Sequence, residues 1–218
     1  MKIIIGLGNK GEEYNWTRHN IGFEFVNFFS EKIKCIFNKK NKLAIWGEKS
    51  IKGKKIIILK PMTFMNLSGV AVLSLMKKFK TGIDDILVIH DEIDLSLFKI
   101  KIKKGGGDAG HKGIHSIINE LKNDKFARVR IGVGKPESKS EVVDYVLSKF
   151  NEEEKVKFLN FFSNFFFVSS IKSSRVKKFV TASKAPIIGV FGIGFPIVSI
   201  EIFVASRTTN LPFHVSFF

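Results

Sequence analysis

Two short polar segments in this chain each follow an apolar run. Thr17-Arg18-His19-Asn20 lies just beyond Ile3-Ile4-Ile5-Gly6-Leu7-Gly8-Asn9, and His90-Asp91-Glu92 follows the apolar run 86–89. Open α/β sheets place their chemistry at the carboxyl ends of such strands. Histidine titrates near neutral pH, so His19 suits proton transfer. Alone it has three readings: a helix-start residue, a packing partner or a base. Asp91 alone reads as a strand-end turn residue. Together they make a different unit, because a carboxylate beside an imidazole fixes its tautomer and stabilises the imidazolium formed on proton abstraction. The pair would suit a general base acting on water.

Other chemistries fit less well. No serine sits in a G-x-S-x-G elbow. The single cysteine, Cys35, falls on a predicted helix. His111 and His115 are four apart, but the residues between them lack the glutamate of a zincin helix. Gly6-Leu7-Gly8-Asn9-Lys10-Gly11 matches G-x-G-x-x-G, yet no helical apolar face follows until Ile21, so a dinucleotide oxidoreductase rests on glycine spacing alone. The better reading is a tight strand end that lets Asn9 approach a ligand. A hydrolase that activates water, with neither metal nor cofactor, is what remains.

The elements that must carry these residues follow from hydrophobic period. Residues 20–36, 66–80, 111–121, 142–147 and 152–162 read as helices. Residues 2–6, 44–48, 55–60, 86–89, 98–102 and 129–133 read as strands, with Gly53 at a turn and Arg128 and Arg130 facing outward. The order predicts an α/β fold: a single-domain three-layer α/β/α with a mixed, mostly parallel twisted sheet. The domain is read over 1–162. Beyond it, 163–218 reads as a divergent Phe-rich tail: residues 161–218 hold 12 of the 23 phenylalanines and one acid, Glu201. The run 185–205 is long enough to span a bilayer, but Pro186, Pro196, Gly189, Gly192, Gly194 and Glu201 argue against it, so a membrane anchor is not expected.

The net charge of +16 favours a polyanionic partner over a merely lysine-rich surface. Lys99, Lys101, Lys103, Lys104, Arg128 and Arg130 flank a glycine loop, 104–110, whose amides could join them in holding phosphate. The competing reading is an edge strand guarded by lysine. Tyr14, Phe64 and Asn66 could stack on and hydrogen-bond an unpaired base. One cysteine excludes an internal disulfide and reads as intracellular. The chain starts directly on a strand, with no signal-peptide pattern.

Six segments in order complete the reading. They are Gly6-Leu7-Gly8-Asn9; Tyr14-Asn15-Trp16-Thr17-Arg18-His19-Asn20-Ile21-Gly22; Thr63-Phe64-Met65-Asn66-Leu67-Ser68-Gly69; His90-Asp91-Glu92-Ile93-Asp94; Gly105-Gly106-Gly107 through His111; and Arg128-Val129-Arg130-Ile131-Gly132-Val133-Gly134. Over about residues 1–160 the chain closely resembles the bacterial peptidyl-tRNA hydrolase family. The resemblance implies a cytoplasmic, monomeric, metal-free hydrolase that cleaves the ester joining a peptide to the 3′ end of tRNA. It implies His19 as the base, Asp91 as its support and Asn9 as the group that distinguishes a blocked amine. Tyr14, Phe64 and Asn66 would contact the tRNA 3′ end, Met65 would line the peptide groove, and Lys103 and Arg130 would clamp acceptor-stem phosphates.

Three departures from the family stand out. Lys10 replaces its usual proline. Lys112 replaces an asparagine, and lysine only donates where an amide also accepts; Lys112 could still hold an oxyanion or phosphate. The tail lacks the charged amphipathic helix usual there, and both a shifted reading frame and a real appendage stay open. The alternative function is a non-catalytic RNA-binding protein of the same fold, as some chloroplast splicing factors resemble this family. Lys112 and the tail favour it; His19, Asp91, Asn9 and Asn66 oppose it.

Overall fold

Isoleucine-rich runs form the middle of a sheet, and the polar site residues hang from its strand ends. The computed structural model describes residues 1–170, 202–204 and 213–217, with side chains as far as residue 165. In chain order the elements are β1 (Lys2–Gly6), α1 (Ile21–Lys32), β2 (Lys39–Lys40), β3 (Ala44–Ile51), β4 (Lys54–Pro61), α2 (Ser68–Phe79), β5 (Ile86–Glu92), β6 (Ile100–Lys104), α3 (Lys112–Leu121), β7 (Ala127–Gly132), α4 (Val142–Leu147), α5 (Glu152–Ser170), β8 (Ile202–Val204) and β9 (Phe213–Phe217). The sheet order is β2-β3-β4-β1-β5-β7-β6-β9-β8. β4, β1, β5 and β7 run parallel at its centre. β2, β3 and β6 pair antiparallel on the flanks.

Each face of the sheet is closed by helices. Ile21, Phe25, Val26, Phe158 and Phe162 of α1 and α5 pack on Ile58, Ile89 and Val129. On the other face Val72, Leu75, Ile114 and Ile117 of α2 and α3 pack on Ile3, Ile5, Ile57 and Val88. A strand covered on both faces reads as an unbroken apolar run, and every residue of β5 is buried. That includes His90, Asp91 and Glu92 at its carboxyl end, which therefore need polar partners.

β5 is longer than the expected 86–89. Its last residues pair with β7, Asp91 opposite Ile131 and Glu92 opposite Gly132, so Asp91 lies inside the ladder. The expected helix 20–36 is shorter. Its start is a 3-10 turn, Arg18–Asn20, that carries His19, and it ends at Lys32 before the left-handed Lys34. The strand expected at 98–102 begins at Ile100, because Phe98 also has a positive φ. α5 runs on from Glu152 to Ser170, across residue 163. Most of the 185–205 run lies outside the described residues; among those described, no helix is long and apolar enough to cross a membrane.

Arg128 corrects the expectation that it faces outward. It does share a face with Arg130, but that face is roofed by the glycine loop, and the residue is only 2% exposed. Its guanidinium donates to the carbonyls of Gly106 and Gly107 and stacks on Phe126. Three of the loop's amides are engaged as well. Gly105 N–H donates to Phe126, Gly106 N–H to Asp124 and Gly110 N–H to Asp108.

The approach of α1 to the strand ends depends on Gly22. A Cβ there would lie 2.4 Å from the Ile89 carbonyl oxygen and 2.6 Å from that of Leu7. Phe23 N–H also donates to the Leu7 carbonyl, so the helix start is seated on the ends of β1 and β5. Neither backbone can yield cheaply. Gly22→Ala should destabilise the protein by about 3 kcal/mol, at the upper end for overpacking. The calorimetric check is a fall in Tm of roughly 6–12 °C for a chain of this size.

Candidate active site

The Asp91 carboxylate, 3% exposed, is the centre of the site. His19 Nδ1 donates to it, 2.9 Å from each oxygen, and His111 Nε2 donates to Oδ1, also at 2.9 Å. The two rings lie 4.8 Å apart. His111 is the N-cap of α3, and its Nδ1 accepts the N–H groups of Gly113 and Ile114. Its two nitrogens are thus committed, one as donor and one as acceptor. Among the described residues nothing bonds His19 Nε2, which keeps its lone pair on a ring only 11% exposed. His90 Nδ1 donates to the Asp91 carbonyl, and its ring stands edge-on to His111.

The electrostatics follow from burial and charge. Burial lowers the His19 pKa, but the Asp91 charge and hydrogen bond outweigh it, so the net shift is upward from 6.5; Lys112 pulls the other way. Burial raises Asp91, yet His19 and His111 hold it well below 3.8. Burial, then His111, push His90 well below its ordinary value, leaving it neutral. The His19 contribution to stability is full below pH 6.5 and lost as pH rises through its raised value. The Asp91 contribution is full above 3.8 and lost as pH falls through its depressed value. Their common window is about pH 4 to 6.5.

Asn20 ties this cluster to Asn9. The Asn20 side chain accepts Asn9 N–H at 2.8 Å and donates to its carbonyl at 3.0 Å. Asn9 Oδ1 in turn accepts Met65 N–H at 3.0 Å. A backbone N–H can only donate, so the oxygen must face it, and Asn9 Nδ2 is the amide's remaining donor group. Met65 itself is buried, its sulfur against Gly113. Phe64 is 55% exposed, with Lys10 Nζ 5.3 Å from its ring, so it stands beside the Asn9 loop. Tyr14 joins the stretch just before the His19 turn through its carbonyl, which accepts from N–H and Oγ1–H of Thr17.

Asn66 and Lys112 line a cavity of about 180 Å³ with Asp108, Gly110 and His115. Lys103 and Arg130 lie on the neighbouring strands β6 and β7. Arg130 is held by Glu92, its Nε at 2.8 Å and Nη2 at 2.7 Å from Oε2. Burial and the charges of Arg130 and Arg128 lower the Lys103 pKa, so these cations share one patch. Sequence reasoning missed His111 and Asn20 as members of the site. The available signal was position: His111 stands between a glycine loop and a helix, and Asn20 adjoins His19. His19, Asp91 and His111 also offer three possible metal-ligand atoms within 4.8 Å of one another. The same atoms are spaced as hydrogen bonds, and an ion there would have to displace both N–H protons.

A family model described as peptidyl-tRNA hydrolase matches residues 3–181. The chain is 44% identical over 154 residues to a peptidyl-tRNA hydrolase of Shouchella clausii, covering 71% of this chain and 83% of that protein. It is 42% identical over 174 residues to one from Mycoplasma capricolum, covering 75% and 94%. Among solved structures, the peptidyl-tRNA hydrolase of Acinetobacter baumannii is similar with a TM-score of 0.71 and 37% identity, over 75% of this chain and 84% of that one.

The shared carboxylate makes a sharp prediction for Asp91→Asn. The amide has one acceptor, and His111 is committed to donating to it. The NH₂ then takes the place of Oδ2, 2.9 Å from His19 Nδ1, where a second N–H would clash with it, so Nδ1 becomes an acceptor and the ring proton moves to Nε2. Imidazole ¹⁵N NMR should show that tautomer switch and a lower His19 pKa, because burial then acts unopposed. An unchanged Nδ1–H tautomer would contradict this account of the cluster.

Proposed function

The chain belongs to the peptidyl-tRNA hydrolase family, and on that footing we propose that it hydrolyses the ester between a peptide and the 3′ end of tRNA, with His19 as the base. The observation that carries the assignment is the Asp91 carboxylate holding His19 by Nδ1–H, so that Nε2 is the basic atom. A water between Nε2 and the ester carbonyl loses its proton to His19 as its oxygen attacks. Asp91 stabilises the imidazolium. The imidazolium then protonates the departing ribose oxygen, and acid and tRNA leave. The relatives described above are named as hydrolases and give the non-catalytic RNA-binding alternative no support.

Other roles follow from what each group can offer. Asn9 Nδ2 is a donor suited to a substrate carbonyl, which a blocked amine supplies. Asn66 and Lys112 would border the scissile ester, where Lys112 can donate to a developing oxyanion. Tyr14 and Phe64 would contact the terminal bases, and Met65 would back the peptide groove from beneath. Lys103 and Arg130 would bind acceptor-stem phosphates, Arg130 from its station on Glu92. We read the protein as a cytoplasmic monomer acting without metal, with all its site residues within 1–162; the boundary expected at 162 falls inside α5, and β9 pairs with β6. A lone, buried Cys35 agrees with a reducing compartment.

His19→Ala should lower kcat on N-blocked aminoacyl-tRNA by about 10²-fold or more while tRNA affinity persists. Near-normal turnover would refute the base. Because neutral His19 is the active form, kcat should rise with pH through the raised His19 pKa. Lys112→Asn removes a charge that lowers that pKa, so the rising limb of a stopped-assay pH profile should move to higher pH.

A further inference from the structure

His19 sits on a turn that is held from both sides, and Arg18 makes one of the two attachments. Its Nη1 donates to Ser148 Oγ at 2.8 Å and to the Lys149 carbonyl at 3.1 Å, and Nη2 reaches Glu154 at 3.3 Å. The guanidinium lies between two rings, 4.6 Å from the Tyr145 centroid and 4.9 Å from that of Phe150. All these partners lie in the stretch 145–154, from α4 to the start of α5. The backbone repeats the attachment. Arg18 N–H donates to the Ser148 carbonyl, and Phe150 N–H donates to that of Trp16. On the other side of His19, Asn20 is bonded to both backbone groups of Asn9.

We propose that Arg18 is a positioning residue for the base: it locks the turn against α4 and α5 so that His19 keeps its bond to Asp91. The proposal rests on His19 being the base. The two backbone bonds tether the turn to 148–150, and the Arg18 guanidinium ties that stretch to Tyr145 on one side and Glu154 on the other. With the tether itself held, it cannot shift and carry the imidazole away from a carboxylate it meets with both oxygens at 2.9 Å. The anchor needs a planar fork with two stacking faces, which lysine lacks. Arg18 Nε is buried with no hydrogen-bond partner among the described residues, a cost that a simple point charge would not incur.

The test uses the full chain with Arg18→Lys, Arg18→Ala and His19→Ala, assayed on N-blocked aminoacyl-tRNA. Both Arg18 variants should lose about tenfold or more in kcat with KM changed by less than about threefold, as expected when a reacting group is misplaced. Low-millimolar guanidinium ion should restore part of the Arg18→Ala activity, and potassium chloride at equal concentration should not. Thermal midpoints measured beside the assay separate loss of position from loss of fold. The proposal is overturned if both Arg18 variants keep kcat within twofold, if KM alone rises, or if activity falls only in step with the folded fraction and guanidinium restores none. Active Arg18 variants beside an inactive His19→Ala sink this proposal alone. An active His19→Ala sinks the base assignment itself.

Discussion

A single carboxylate buried at the end of a central strand must accept two imidazole N–H groups or stand uncompensated in the core. Most of the site can be understood as what that requirement brings together. β5 delivers Asp91 to the sheet's carboxyl edge. The turn before α1 brings His19, and the glycine loop before α3 brings His111. Breaking one partner of a buried ionic group costs more than the group ever contributed to stability. The cluster is therefore better understood as a device for fixing one tautomer than as a prop for the fold.

The pairing of His19 with Asp91 was legible because both follow apolar strands, and parallel strands put their carboxyl ends on one edge. The three-layer architecture was legible for a similar reason, since period 2 and period 3.6 report which face is covered. What hydrophobic period does not report is the course of a hydrogen bond between distant loops. The bond of His111 to Asp91 spans 20 residues, and that of Asn20 to Asn9 reverses a loop onto itself. Arg128 shows the same limit from the other side. Its alternation with Val129 marks the right face, but alternation cannot tell an open face from one covered by a loop.

The glycine loop is accordingly a different object from a free cradle of amides. Arg128 holds its carbonyls, and Asp124 and Asp108 hold two of its N–H groups. A loop so tied is pre-shaped, and it ends where His111 must be presented to Asp91. Its positive charge is displaced to Lys103 and Arg130, beside rather than within the loop. The cationic patch and the alignment of the imidazoles thus meet at one short segment of chain.

The attachment of Arg18 to Glu154 closes a span of 136 residues, whereas His19 and Asp91 are 72 apart. During synthesis a chain folds from its amino end as it emerges. His19 and Asp91 are both made long before the segment that seats the turn carrying His19. A chain still on the ribosome is itself a peptide esterified to tRNA, the chemical class this enzyme cleaves. The turn that carries His19 gains its last fastening only when residues 145–154 have emerged, after most of the chain has been made.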